Sequence, residues 1–428
     1  MTPTATETRS RVAVAVWAAL IGAAVVLGEG LSHDPEARVA AAPFVGMWRP
    51  AWGWRVAPAL VLAVAAVAWA PALADRMAWR RLLAAAALGT VGWAVALNVV
   101  DGPGALTAPV ATRYEYLSEV DSVGSPGAFL SGFVDHLPTY ATHVKGHPPG
   151  MVLVLWGLDR AGLGGPGSAT ALVLLGAGLA TVAALVALAE VAGQAAARRA
   201  APFVALAPAA VFVATASDAL FAGVAGAGVA LVVLATGRAG RRADVLAGAG
   251  GLVLGGALFL SYGAVLMLVV PVAVAVSRRR LRPLAVAAAG VAAVAAGFAG
   301  FGFWWPAGLA ATRVIYHRGA AASRPYDYFL LANLAVFGVL VGPAVAAGLS
   351  HLGRATRGVA LLVGAALAAV VLADLSGLSR AEVERIWLPF VPWVALAGAA
   401  LAAVSRRRWL AAQMGSGVAL QVLLRSPW

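Results

Sequence analysis

Uninterrupted apolar runs of about 17–25 residues recur from end to end of this chain, each long enough to cross a hydrocarbon core of roughly 30 Å. No other feature restricts the fold as strongly, because a backbone inside lipid must satisfy its own N–H and C=O groups. Helices and closed barrels do so, and continuous runs rather than alternating segments of ~10 residues select helices. Only 11% of the 428 residues are charged and 62% are hydrophobic, whereas a soluble domain carries about 25% charged residues. The chain therefore reads as an all-α, polytopic integral membrane bundle.

The net charge of +13 could suggest a nucleic-acid partner, but its distribution excludes that reading. Basic residues fall in short clusters between apolar runs: Arg9/Arg11, Arg76/Arg80/Arg81, Arg198/Arg199, Arg238/Arg241/Arg242, Arg278/Arg279/Arg280/Arg282, Arg354/Arg357 and Arg406/Arg407/Arg408. Short arginine-rich loops mark the cytoplasmic side of a membrane. Used as anchors, they place spans near 12–30, 56–75, 82–100, 168–192, 201–216, 219–236, 245–261, 263–277, 284–304, 327–348, 358–375, 388–404 and 409–424. The expectation is about 13 transmembrane helices, a cytoplasmic N-terminus and a multi-pass protein of the cell (plasma) membrane. The first run exceeds the ~7–15 residues of a signal-peptide core, so it reads as a retained span. The chain has no cysteine, which removes disulfide and thiolate chemistry.

Most of the acids then lie on the opposite face, and so does the longest loop, 101–167. Loops beyond about 12–15 residues are functional or disordered, and the aromatics Tyr114, Tyr116, Phe129, Phe133 and Tyr140 argue for order. Its last part, "GMVLVLWGLDRAGLGG", is short for a span and reads as an interfacial helix with Trp156 at headgroup level.

Four stretches could carry chemistry. In "TRYEYLSEVDSV", Glu115, Glu119 and Asp121 fall within seven residues. If helical, Glu115 and Glu119 share a face, and such a cluster suits a general base or a divalent cation, Mg or Mn. A solvated face paired with Arg113 fits the same residues. In "THVKGHPPGMV", His143, Lys145 and His147 precede a stiff Pro148-Pro149 step that aims them and sets the angle of the next helix. They suit a phosphate or serve as headgroup anchors. A zinc site would need the two histidines on one helix, which Pro-Pro argues against, so no metal ligands are assigned. Asp218 in "ATASDALFAG" fits either a helix N-cap, with Ser217, or a polar site at the membrane edge. In "SRAEVERIWLPFVPWV", Arg385 is the last charge before an apolar helix, fit for a phosphate or for anchoring beside Trp387. The outer loop 305–326 adds Arg313, Tyr316, His317, Arg318 and Arg324, against the positive-inside trend and in favour of an anionic partner.

Taken together, "RYEYLSEV", "KGHPPG", "TASDALFAGVAGAGVAL", "LFLSYGAVLMLVVP" and "EVERIWLPFVPWV" resemble, in this order, features of the GT-C superfamily of membrane glycosyltransferases. The likeness is to the branch of protein O-mannosyltransferases and the lipid A aminoarabinose transferase. These have a long first extracytoplasmic loop with acids and a tyrosine, then a Lys/His-Pro-Pro step, a short loop with a second acid, and a late Glu-Arg-aromatic-Leu-Pro stretch. The resemblance covers about residues 82–405, leaving 1–81 as two additional N-terminal helices and 406–428 as a basic segment with a last helix. Two local departures stand out. Gly150 follows the prolines where the family has a bulky apolar residue, and Asp101, not Glu115, stands at the exit of the matching first helix.

The resemblance implies a transferase that takes a monosaccharide from a polyprenyl-phosphate donor and passes it to a glycan, lipid or protein acceptor on the extracytoplasmic face. Glu115 is then the expected base, ahead of Asp121 and Asp101, with Asp218 orienting acceptor or sugar. Lys145, His147, His143, Arg385, Arg318 and Tyr114 are the expected phosphate and substrate contacts. The alternative is a transporter or flippase of a lipid-linked or anionic substrate, for which mid-span charges and repeated halves would be expected. Convergence of Glu115, Asp218, Lys145, His147 and Arg385 on one outer cavity is what the transferase reading requires.

Overall fold

The computed structural model of the chain describes residues 5–427. Helix dominates, and the described residues hold one sheet, a pair of two-residue antiparallel strands, Met47–Trp48 and Leu424–Arg425. Among the described residues, eight helices are long and apolar enough to cross a membrane. They are α1 (Ala5–Leu27), α2 (Ala57–Arg76), α3 (Trp79–Asn98), α5 (Pro166–Ala192), α6 (Asp218–Thr236), α7 (Gly240–Leu260), α8 (Arg282–Gly300) and α9 (Arg357–Leu375), while the shorter α4 (Gly150–Arg160) precedes α5. The protein is thus a multi-pass helical membrane protein.

The count differs from the expected thirteen. Two further helix pairs qualify only if a sharp bend is allowed: Tyr326–Val341 with Pro343–Leu349, bent by 103°, and Val383–Ala400 with Ala403–Leu423, bent by 116°, which gives at most ten. The segments at 201–216 and 263–277 are likewise short or broken, as Gln194–Ala205 followed by Ala210–Val213 and as a 3-10 turn running into Val269–Ser277.

A broken backbone at membrane depth survives where protein groups take up its freed hydrogen bonds. Asn98 Nδ2 donates to the carbonyls of Ala210 and Val211, and Trp93 Nε1 to that of Ala207. At the Gly342-Pro343 break, Gln413 Nε2 donates to Val341 O while its Oε1 accepts from Ala344 N. Each of these side chains is buried in an otherwise apolar surround.

The arginine clusters gather at one end. Arg406 pairs with Asp75 at the foot of α2 (2.7 Å), Arg198 donates to Ala74 O and Met77 O, and Arg408 reaches Glu7. Arg238 and Arg278 both bind Glu190 near the end of α5, and Ser10 meets His351 at 2.8 Å. Only 11% of the apolar stretch of α1 and of α8 is buried within the protein, against 78% of α6, so α6 is central and the other two face outward. The long loop builds its own core at the opposite end, where Tyr116, Phe129, Phe133, Val144 and Met151 pack with Phe221, Phe259 and Phe303. This order agrees with the aromatic content of the loop.

Candidate active site

The first acidic segment is not an α-helix. Glu115 is extended (φ −95°, ψ 168°) and leads into a 3-10 turn, Tyr116–Ser122, so its three acids diverge. Glu115 is buried, Glu119 is half-buried with Oε1 accepting from Ala141 N at 2.6 Å, and Asp121 is exposed. The short turn Thr142–Lys145 brings His143 onto this strand-like stretch: its backbone N–H donates to Tyr114 O, and its Nδ1 stands 2.6 Å from Glu115 Oε1. Both side chains are almost fully shielded, which makes a close carboxylate–imidazole pair.

The second half of the site comes from two distant elements. Asp218 opens α6, yet no side-chain capping bond forms at this helix start, and the Asp218 carboxylate instead meets Arg385 Nη1 at 3.2 Å. Asp218 is thus the first residue of α6 and is held by an ion pair rather than by a side-chain cap. Arg385 Nη2 is 2.9 Å from Glu382 Oε2, and the other oxygen of Glu382 lies 3.2 Å from Arg324 Nη1. Ala381 and Glu382 both adopt positive φ, 69° and 63°, a conformation costing on the order of 1–3 kcal/mol per non-glycine residue. That strained pair aims Glu382 between two guanidinium groups. Burial alone would raise the Glu382 carboxyl, but the Arg385 and Arg324 charges outweigh it and hold the group down at about 2.

Tyr116 joins the halves. Its ring centroid lies 6.4 Å from His143, 5.8 Å from His147 and 6.3 Å from Phe221, one turn into α6 from Asp218. Burial, and then the Asp218 and Glu115 charges, push its phenol well above the ordinary value, so it remains protonated. Its buried oxygen has no hydrogen-bond partner among the described residues, leaving a donor beside the Asp218 and Glu115 charges. Burial, with Arg385 and His143 nearby, pulls His147 down to about 3. His147 is therefore a neutral imidazole rather than the cation its place beside Lys145 suggests.

Glu115, His143, His147, Tyr116, Asp218, Glu382 and Arg385 thus converge within range of one another's charge. Of the other expected residues, Lys145 borders this cluster and the rest stand apart from it. Lys145 is half-buried at its edge, and its backbone carbonyl accepts from Thr312. Tyr114 is 48% exposed and stacks with Arg113. Asp101 accepts from Gln421 Nε2 at 2.9 Å, at the end of α3. Arg318 lines a separate cleft with Glu36 and Arg38. Tyr116, Glu382 and Arg324 were not singled out for these roles by the sequence. The signals available were the proximity of Tyr116 to Glu115, of Glu382 to Arg385, and the unusual outer position of Arg324.

Among the described residues, no group of three or more His, Asp or Glu is placed to hold a metal ion. The Glu115, Asp218 and Glu382 carboxylates each face an arginine or histidine partner. Compared with known proteins, the chain matches no protein-family model and no curated protein.

Proposed function

We propose that this protein is a GT-C-like glycosyltransferase that moves a monosaccharide from a polyprenyl-phosphate donor to an acceptor hydroxyl or amine. The supporting observation is the convergence of the Glu115–His143 pair and the Asp218–Arg385–Glu382 chain around the unpartnered Tyr116 hydroxyl. By this reading the arginine-rich end is cytoplasmic and the cluster faces the extracytoplasmic side of the cell membrane. The charges sit at helix ends, not at mid-span where a translocation path would place them.

Sugar transfer requires a proton to leave the acceptor as its oxygen or nitrogen attacks the anomeric carbon. The bond from that carbon to the phosphate oxygen breaks, and the phosphate departs with the bonding pair. Glu115 takes the proton, with His143 fixing the carboxylate. Arg385 already balances two carboxylates, so it organises Asp218 and Glu382 to accept from sugar hydroxyls. Lys145, at the edge of the cluster, supplies the positive charge for the departing phosphate. Tyr116 donates to a substrate oxygen. Ala219 and Leu388, which follow Asp218 and Arg385 in the chain, line an apolar cavity of about 40 Å³.

The test uses membranes carrying wild type or Glu115→Gln and a panel of radiolabelled polyprenyl-phosphate monosaccharides. Loss of a general base predicts a fall of at least ~10²-fold in sugar transferred. Equal turnover by the two proteins removes Glu115 as the base.

A further inference from the structure

Segment 31–46 meets segment 305–326 across a cleft of about 550 Å³ lined by Glu36, Arg38, Arg318 and Ser323. Both arginines are exposed, and neither side chain forms an ion pair or hydrogen bond with the described residues. Arg38 is held at φ 53°, a strained backbone for a non-glycine residue. Behind the cleft, the same two segments treat a third arginine in the opposite way. Arg324 is 4% exposed and donates to Ala37 O (2.8 Å), Arg380 O (2.8 Å) and Glu382 Oε1 (3.2 Å). Arg324, which follows the cleft residue Ser323 in the chain, is thus bonded directly to the carboxylate that holds Arg385.

We infer that this cleft binds an anionic saccharide, one carrying a phosphate or carboxylate, as the acceptor. The acceptor role rests on the glycosyltransferase reading, whereas anion binding does not. Two guanidinium groups without carboxylate partners present forked donors suited to a phosphate or carboxylate. Glu36 and Ser323 add polar atoms for neighbouring hydroxyls. The volume falls in the range of small-molecule sites, roughly 300–1,000 Å³, enough for one or two sugar units but not for a folded partner.

The experiment is a calorimetric titration of the purified full chain in detergent with glucose 6-phosphate, with glucose as the neutral control. It is run on wild type and on the Arg38→Ala/Arg318→Ala double variant. The expected result is salt-sensitive binding of the sugar phosphate, weakened at least ~10-fold in the variant, with glucose bound far more weakly. An unchanged variant, equal binding of glucose, or no binding by wild type overturns the inference. The titration is repeated in phosphatidylglycerol and phosphatidylcholine nanodiscs. Binding lost only in phosphatidylglycerol assigns the cleft to lipid headgroups and overturns the acceptor role. Because no donor is present, failure here is distinguishable from failure of the Glu115 turnover test.

Discussion

Glu115 and Asp121 are six positions apart in one acidic stretch, yet one is buried against His143 and the other is in solvent. A list of acids cannot separate them. The difference comes from Phe221, on a helix about a hundred residues away, which packs on Tyr116 and closes over one side of the turn. His147 shows the same limit: beside a lysine it reads as a cation, and burial makes it neutral. That has a consequence for acid stability. An unfolded imidazole titrates near 6.5, whereas folded His147 resists protonation down to about 3. Its contribution is complete above about pH 6.5 and is lost as pH falls, by at most ~1.4 kcal/mol per pH unit. Glu382, ordinarily near 4.5 and here about 2, acts in the same direction but only below pH 4.5. His147→Gln is therefore expected to flatten the fall in unfolding midpoint between pH 6.5 and 4.5, measured in detergent. A slope parallel to wild type contradicts a buried neutral His147.

Close contacts between elements decide what the Pro-Pro step does. It starts α4 at Gly150, where an added Cβ would collide with the backbone carbonyl of Phe259 near the end of α7. The glycine that departs from the family pattern is thus the residue that lets α4 lie against α7, with His147 one turn away. Gly150→Ala is expected to cost about 1–3 kcal/mol through overpacking and to lower the thermal midpoint. Gly157→Ala in the same helix meets no atom within 4 Å and gains helix propensity, so it should leave the midpoint unchanged or raise it. Equal effects of the two substitutions contradict this packing. Apolar length and arginine spacing made the unbroken helices legible in the sequence. The broken ones were not, because their support comes from Trp93, Asn98 and Gln413 reaching across to other helices.

Across the molecule, charge is divided between two ends, and the acidic end is where distant segments meet. The N-terminal part, outside the recognised stretch, contributes there as well: Ala37 O receives Arg324, and Val45 N donates to the buried Glu384 at 3.0 Å. The residues at 82–405 that resemble glycosyltransferase motifs supply Glu115, His143, Asp218, Glu382 and Arg385, which the fold brings together from four separate stretches. The central claim is that this buried cluster, and not the exposed acids beside it, carries sugar transfer. The direct measurement is the initial rate of transfer from radiolabelled polyprenyl-phosphate sugar by membranes with matched amounts of Asp218→Asn or Asp121→Asn. Asp218→Asn is expected to lose at least ~10²-fold, and Asp121→Asn to keep a rate within about twofold of wild type. Equal rates for the two variants, or loss confined to Asp121→Asn, would contradict that claim.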